Sequence, residues 1–195
     1  MDPSMMNPSK TILVFFFLFF FSISLAFSST EQSSKEKQHE PCKELVVYYH
    51  DILYNGHNSD NATSTLIGAP DGANLTALSG QFRFGNMAVF DDPITLDNNL
   101  HSSPVGRAQG SYIYSGKNTL RVWMGFSIVF NNTQYQGIVT FVGADLISLE
   151  SRDMPVVGGT GDFFMHRGVA TLMTDGDEGE TYYRLKIDIK FYECW

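Results

Sequence analysis

Basic residues are scarce in this chain, which has 13 lysines and arginines against 21 aspartates and glutamates and a formal net charge of −8. Nucleic acids and anionic membrane surfaces are bound through clustered positive charge, and no such cluster occurs here, so neither is an expected partner. Charged residues make up only 17% of the chain, whereas 43% are hydrophobic and 14% aromatic. This composition excludes a disordered chain and favours one folded domain.

Catalytic and cofactor signatures are also missing. The sequence has no Gly-x-Ser-x-Gly elbow, no His-Glu-x-x-His pair and no Cys-x-x-Cys pair. Its five histidines lack metal-ligand spacing, so we expect no metal, no cofactor and no intrinsic oxidase activity. The segment Gly158-Gly-Thr-Gly161 lacks the residues that complete a phosphate loop or a dinucleotide fingerprint, and we interpret it as a turn.

A single long apolar run occurs, at residues 11–21, between Lys10 and a stretch of small residues. This order is typical of a secretory signal peptide, with cleavage near residues 26–28. A membrane anchor is the alternative, but the run is shorter than the ~20 residues of a spanning helix and serines interrupt its end. We therefore interpret residues 1–28 as a signal peptide, residues 29–41 as a flexible polar leader and residues 42–195 as the folded domain of a secreted protein.

Cysteine is nearly absent, since Cys42 and Cys194 are the only two. Secretion places them in an oxidising compartment, so we predict that they form a structural disulfide. The sequence also contains three Asn-x-Thr sequons, at Asn61, Asn74 and Asn131. Because such sequons are glycosylated in secreted proteins, these asparagines are candidate glycosylation sites.

Alternation of apolar and polar residues with period two dominates the folded domain, and no stretch of ten residues there has a helical period. Residues 120–130 and 183–191 show the alternation most clearly, with the β-branched and aromatic residues typical of strands. Seven further candidate strands are residues 45–54, 63–68, 87–95, 105–114, 134–144, 154–157 and 169–174. Many short strands joined by turns predict an antiparallel all-β fold, and the pattern leaves open a barrel or a sandwich.

Polar residues on otherwise apolar strand faces are the candidates for chemistry. Asp51 shares a face with Val47 and Tyr49, where burial would raise its pKa and let it act as a general acid. A solvated aspartate at the strand end is the alternative. His50 points to the opposite face of the strand, so we do not expect a catalytic dyad with Asp51.

Two other groups allow two interpretations each. Tyr112 and Tyr114 share a strand face that either stacks on an aromatic ligand or belongs to the core. Asp145, Arg152 and Asp153 lie between two predicted strands, either as a surface salt-bridged loop or at the mouth of a barrel, where they would orient a phenolic ligand.

Short motifs along the whole folded domain, each in its expected place, resemble those of plant dirigent proteins, and the lignan-forming group most of all. They are Cys42–Val46, Tyr49–Tyr54, Asn61–Ser64, Val89–Thr95, Val105–Gly110, Gly143–Asp145, Val157–Met165 and Phe191–Trp195. The resemblance implies an eight-stranded antiparallel β-barrel of the lipocalin or allene-oxide-cyclase type, assembled as a homotrimer in the plant apoplast.

The resemblance also implies a function without any cofactor. A separate laccase or peroxidase oxidises coniferyl alcohol, and the protein directs the 8–8′ coupling of two radicals to optically active pinoresinol for lignan biosynthesis and defence. Likeness to the legume members favours (+)-pinoresinol. The alternatives are a cyclase that closes the quinone methide of another phenolic without radicals, as in pterocarpan formation, and a carrier of phenolics.

Roles for single residues follow by matching the motifs. The resemblance assigns catalytic roles to Asp51, Asp145 and Arg152, and substrate binding to Tyr112, Tyr114 and Tyr183. A neutral Asp51 or Asp145 would protonate the quinone methide oxygen, and Arg152 would anchor a phenolic oxygen. Two departures from the family pattern are Tyr183, where phenylalanine is usual, and a Gly-Asp pair in the predicted turn at residues 175–179.

Overall fold

The computed structural model describes residues 40–68, 84–179 and 181–195. The predicted signal peptide, residues 29–39 of the predicted leader and Asn74 lie outside these ranges. Within them the chain forms nine β-strands: β1 (Lys43–Ile52), β2 (Ser64–Gly68), β3 (Met87–Thr95), β4 (Gly106–Tyr114), β5 (Val122–Asn131), β6 (Gln136–Asp145), β7 (Ser151–Gly161), β8 (Arg167–Glu178) and β9 (Tyr182–Glu193). Each predicted strand is present, and β7 and β8 are longer than the sequence predicts.

Eight of these strands form a closed antiparallel barrel. Neighbours pair in the order β1-β9-β8-β7-β6-β5-β4-β3, and β1 closes the ring by pairing with β3 at Tyr48↔Thr95 and Tyr49↔Ile94. The short β2 pairs with β3 beside that closure. Closure removes the exposed edges that an open sheet would present, and the barrel implied by the resemblance is confirmed.

Alternation decides which side chains fill the barrel. In β5 the buried side chains are Val122, Met124, Phe126, Ile128 and Phe130, and the residues between them are exposed or half-buried. Successive side chains of a strand point to opposite faces, so one set packs inside and the other faces outward. Each large apolar side chain buried in this way stabilises the fold by roughly 1.5–3 kcal/mol.

Aromatic side chains close one end of the barrel. The Phe163 ring is fully buried, with its centroid 5.1 Å from that of Phe130 and 5.7 Å from that of Phe191. His166 packs edge-on against Phe191 at 5.3 Å, and the Lys43 ammonium lies 4.2 Å from the Phe163 centroid. This aromatic plug fills the end where β7 turns into β8, and the interior space lies towards the opposite end.

The predicted disulfide is confirmed. The sulfur atoms of Cys42 and Cys194 are 2.09 Å apart and the two Cα atoms 6.3 Å apart. Cys42 precedes β1 and Cys194 follows β9, and these strands are neighbours paired at Lys43↔Phe191. The bond therefore fastens together the first and last strands of the barrel.

Two segments that the sequence predicts as turns are strands instead. Gly158–Gly161 belongs to β7 and pairs with β6, and a Cβ at Gly159 would lie 2.4 Å from the Phe163 carbonyl oxygen. Glycine is needed there because backbones approach closely, not because the chain turns. Residues 175–178 belong to β8, where a bulge between Thr174 and Gly176 interrupts the pairing with β9.

Two of the three predicted glycosylation sites lie among the described residues. Asn61 is in the loop before β2 and Asn131 ends β5, and both residues are exposed. Their modification remains a prediction. Across the described ranges, no helix is long and apolar enough to cross a bilayer.

Candidate functional site

A cavity of about 370 Å³ lies in the barrel at the end opposite the aromatic plug. Its wall includes all six side chains that the resemblance assigns to the site, and they come from five different strands: Asp51, Tyr112, Tyr114, Asp145, Arg152 and Tyr183. The volume falls near the lower end of the range for small-molecule sites, and an eight-stranded barrel has room for one such ligand. The fold thus brings the predicted residues together, while their roles remain predictions.

Asp51 is buried in the β1 wall of this cavity. Its relative exposure is 9%, and its Oδ1 accepts a hydrogen bond from the Ser64 hydroxyl. Burial raises the pKa of Asp51 to about 6, and the hydrogen bond from Ser64 opposes that rise. A carboxylic acid with this pKa stays protonated well above the pH at which a solvated aspartate ionises, so Asp51 can donate a proton.

His50, the neighbour of Asp51, faces the outside of the barrel as the sequence predicts. It is nonetheless fully buried, and both ring nitrogens have partners: Nδ1 lies 2.8 Å from the Tyr182 hydroxyl and Nε2 lies 2.7 Å from the Thr95 hydroxyl. Burial, and then the Arg184 charge, lower the pKa of His50 to about 4. Both ring nitrogens are occupied and the side chain does not line the cavity, so His50 has no part in the chemistry of Asp51.

A buried ion pair forms the second polar wall of the cavity. The Arg152 Nε donates to the Asp145 Oδ1 at 2.7 Å, and the two side chains are only 3% and 5% exposed. The alternative of a surface salt-bridged loop is therefore wrong for this pair, although Asp153 does face outward and accepts a hydrogen bond from Thr171. In this buried pair the carboxylate and the guanidinium compensate the charge of each other. Removal of either side chain would leave an uncompensated charge in the protein interior.

One further guanidinium nitrogen of Arg152 connects the ion pair to Tyr183 through Thr174. Nη1 donates to the Thr174 hydroxyl at 3.0 Å, and that hydroxyl is 2.8 Å from the Tyr183 hydroxyl. Nη2 is buried and has no hydrogen-bond partner among the described residues. A phenylalanine at position 183 would end this chain at Thr174, so the departure from the family pattern adds one hydroxyl to the polar wall.

Aromatic rings supply the rest of the wall. The Tyr112 and Tyr114 rings meet edge-on at 5.7 Å, and Tyr112 lies 6.1 Å from Phe90. Both tyrosines are buried and both line the cavity, so they are core residues and ligand-facing residues at once. Rings fixed by such contacts present a rigid surface on which an aromatic ligand can stack.

The sequence analysis missed Asp92, which is fully buried on the inner face of β3. Neither of its carboxylate oxygens accepts a hydrogen bond of normal geometry among the described residues. Burial, and then the charge of Asp51, raise the pKa of Asp92 to about 9. The signal is present in the sequence, because Asp92 shares a strand face with the buried Phe90 and Ile94.

The site combines an acid of raised pKa on β1, an ion pair on β6 and β7, and aromatic rings on β4 and β9. Such a cavity can bind a flat phenolic molecule, hold its oxygen atoms in place and donate a proton to one of them. No group of three or more histidine, cysteine, aspartate or glutamate side chains in the described part of the chain is arranged to hold a metal ion.

Comparisons with known proteins agree with this geometry. The family model described as Dirigent-like protein matches residues 42–192. A dirigent protein of Sinopodophyllum hexandrum is 56% identical over 184 residues, which cover 94% of this chain and 95% of that protein. Dirigent protein 5 of Arabidopsis thaliana is 46% identical over 181 residues, 93% of this chain and 96% of that protein.

Solved structures show the same barrel. A pterocarpan synthase dirigent protein superposes with a TM-score of 0.64 at 26% identity, over 78% of this chain and 96% of that one. A second pterocarpan synthase dirigent protein, at 24% identity, has the same TM-score of 0.64 over 77% of this chain and 90% of that one. From its motifs, its barrel and these relatives, the chain belongs to the dirigent protein family.

Proposed function

We propose that this dirigent protein directs the 8–8′ coupling of two coniferyl alcohol radicals, made by a separate laccase or peroxidase, towards one enantiomer of pinoresinol. The observation that carries the proposal is the meeting of an acid, Asp51, and a buried ion pair, Arg152–Asp145, in one aromatic-walled cavity. The expected enantiomer is (+)-pinoresinol.

Coupling needs no oxidant inside the cavity. The unpaired electron at C8 of each radical contributes to the new carbon–carbon bond, so the protein has only to decide which molecular faces meet. An enantiomer ratio of 10:1 requires a free-energy difference of about 1.4 kcal/mol between the competing arrangements. A hydrogen bond to a charged group contributes roughly 1.5–3 kcal/mol, so one contact with Arg152 made in a single arrangement is sufficient.

Ring closure of the coupled bis-quinone methide then uses the two carboxyl groups differently. Asp51 donates its proton to the quinone methide oxygen, which makes the benzylic carbon more electrophilic. A side-chain hydroxyl of the substrate attacks that carbon and releases a proton. Asp145, ion-paired with Arg152, is the carboxylate that accepts it, so protons balance over the step. In this mechanism Asp145 is a base and Asp51 the acid.

A non-radical cyclase is the second candidate, and the likeness to solved pterocarpan synthase dirigent proteins favours it. The same acid could protonate the quinone methide of another phenolic, which a nearby hydroxyl would then attack. The substrate distinguishes the two functions, because a cyclase acts without any radical source.

The test is chiral chromatography of pinoresinol formed from coniferyl alcohol and a laccase, with and without the protein. Laccase alone gives the racemate, and the protein alone is expected to consume no coniferyl alcohol. An excess of (+)-pinoresinol with both present supports the proposal. A racemate in the presence of folded protein contradicts it, and turnover of an isoflavonoid precursor without laccase then identifies a cyclase. Saturable phenolic binding without any product effect identifies a carrier.

Secretion and trimer formation belong to the same proposal. We expect the protein to act in the apoplast as a homotrimer, with a cavity in each subunit. Sedimentation of the secreted protein tests the assembly, and a mass near that of one glycosylated subunit contradicts it.

A further inference from the structure

A row of hydrogen-bonded side chains crosses three neighbouring strands of the cavity wall. Arg152 on β7 donates from Nη1 to the hydroxyl of Thr174 on β8 at 3.0 Å, and the hydroxyl of Tyr183 on β9 lies 2.8 Å from the same Thr174 oxygen. Because both groups are bonded to one atom, Nη1 and the phenol oxygen are no farther apart than the sum of these two distances. Arg152 and Tyr183 both line the cavity, so the row places a cation and a phenol side by side against the ligand space.

The guanidinium of Arg152 keeps one nitrogen for a ligand. Nε donates to Asp145, and Nη1 donates to Thr174 and to the Leu149 carbonyl. These bonds use three of the five N–H groups that an arginine carries. Nη2 is buried and has no partner among the described residues. The protein therefore fixes the guanidinium through two nitrogens and leaves the N–H groups of the third for an oxygen atom of the ligand.

The charge at the start of the row favours one direction for its hydrogen bonds. A guanidinium can only donate, so the Thr174 oxygen accepts from Arg152. A hydroxyl that is polarised by a cation becomes a better donor and a poorer acceptor of a second hydrogen bond. This order favours Thr174 as the donor to the Tyr183 oxygen. The phenol hydrogen of Tyr183 is then left for the ligand.

Tyr183 and Asp51 serve different atoms of a ligand. The two residues are paired across β1 and β9, so their side chains start from adjacent positions on the inner face. The Asp51 carboxyl is bonded to Ser64 of β2, on the side of β1 away from β9. The Tyr183 hydroxyl is bonded to Thr174 of β8, on the side of β9 away from β1. Directed apart in this way, the acid and the phenol contact separate oxygens, and the phenol belongs with Arg152.

We propose that Tyr183 is a specificity-determining residue, which donates a hydrogen bond to a ring methoxyl oxygen of the ligand while the Arg152 Nη2 holds the adjacent phenolic oxygen. Thr174 is the positioning residue that orients the phenol. The inference rests on the proposed function, which supplies the ligand, because coniferyl alcohol carries these two oxygens on neighbouring ring carbons. A methoxyl oxygen has no hydrogen and can only accept, so a donor is the partner it needs. The group that the cavity recognises is thus the methoxyl, which p-coumaryl alcohol lacks.

The experiment measures the affinity of the free protein for coniferyl alcohol and for p-coumaryl alcohol by isothermal titration calorimetry, with no laccase present. Wild type should bind coniferyl alcohol more tightly. Tyr183→Phe should lose about two- to tenfold in affinity for coniferyl alcohol, the effect of one net hydrogen bond, and should bind p-coumaryl alcohol as wild type does. Phenylalanine keeps the aromatic ring and removes only the hydroxyl.

Variants of Thr174 test the orientation of the phenol. Thr174 is exposed, so Thr174→Val leaves the core intact while it removes the hydroxyl. It should reproduce the loss seen with Tyr183→Phe, and the double variant should lose no more than either single one. Thr174→Ser keeps a hydroxyl and should bind both alcohols as wild type does. Tyr192→Phe is the matched control, because it removes a phenol hydroxyl from the same strand at a position that is 42% exposed and outside the cavity wall.

Several results would overturn the inference. They are wild type that binds neither alcohol or binds both equally, and Tyr183→Phe that loses the same affinity for both alcohols or for neither. Additive losses in the double variant would refute the orientation of Tyr183 by Thr174.

Failure of the inference is distinguishable from failure of the proposed function, because the titration needs no radical source. A racemic product in the laccase assay, together with a preference for coniferyl alcohol that depends on Tyr183, would contradict the proposed function and support the methoxyl contact. An enantiomeric excess without that preference would support the function and contradict the contact.

Discussion

Replacing Asp51 with asparagine should stabilise the fold while it removes the acid. Burial raises the pKa of Asp51 from 3.8 to about 6. Between these values the unfolded chain releases its proton before the folded protein does, so stability falls as pH rises from about 4 to about 6 and stays low above that. At 1.36 kcal/mol per pKa unit, the ionised carboxylate costs about 3 kcal/mol at pH 7.

Asparagine removes that cost and keeps an oxygen that can accept the Ser64 hydrogen bond. Its buried amide N–H₂ needs a partner, which offsets part of the gain by about 1–3 kcal/mol. The net expectation is a gain of up to about 2 kcal/mol at pH 7, or roughly 4–8 °C in Tm for a chain of this size. At pH 3.5, where aspartate is mostly protonated in both states, the gain should vanish, and the buried amide should leave Asp51→Asn less stable than wild type.

Thermal unfolding of the two proteins at pH 3.5 and pH 7 is the assay. The matched control is Asp153→Asn, an exposed aspartate on the outer face of β7, whose Tm should follow wild type at both pH values. A Tm difference between Asp51→Asn and wild type that does not change with pH would refute the reasoning, because it would show that Asp51 is not ionised at a cost in the folded state.

Two further predictions concern the barrel itself. Gly168→Ala should lower the free energy of unfolding by about 1–3 kcal/mol or prevent folding, because the new Cβ would lie 1.9 Å from the Lys190 carbonyl oxygen. Gly158→Ala is the control, since a Cβ there meets nothing within 4 Å and should change the stability little. Serine at both Cys42 and Cys194 should lower the free energy of unfolding by up to about 5 kcal/mol, from the chain entropy of a loop that closes over a sequence separation of 152. Urea unfolding measures both, and equal midpoints for the two alanine variants, or for reduced and oxidised wild type, would count against these accounts.

The strands were predictable because alternation is a local signal. Each predicted strand appears, since inward apolar side chains such as Phe126 and Ile128 repeat every second residue. Closure of the barrel was not predictable from the residues alone. It depends on two residue pairs between β1 and β3, which are distant in sequence and leave no local pattern.

The candidate site was also predictable in part. Strand alternation identified Asp51, whereas Asp92 was missed. Asp51 was placed on the inner face by parity with Tyr49, which the structure confirms. Asp92 follows the same alternation on β3 and lies on the inner face. Its neighbours Asp91 and Pro93 are typical turn residues, and they obscure the strand pattern in the sequence. The predicted turn at Gly158–Gly161 was wrong for a related reason. Glycine permits a turn, but it also permits close contact between neighbouring backbones of a sheet.

The most direct test of the central claim is the enantiomer ratio of pinoresinol formed under laccase with wild type, Asp51→Asn and Asp153→Asn at equal concentrations of folded protein. The account predicts an excess of (+)-pinoresinol with wild type and Asp153→Asn, and a strongly reduced yield of that enantiomer with Asp51→Asn. Equal enantiomer ratios and yields for all three proteins would contradict the claim that the polar wall of this cavity directs the reaction.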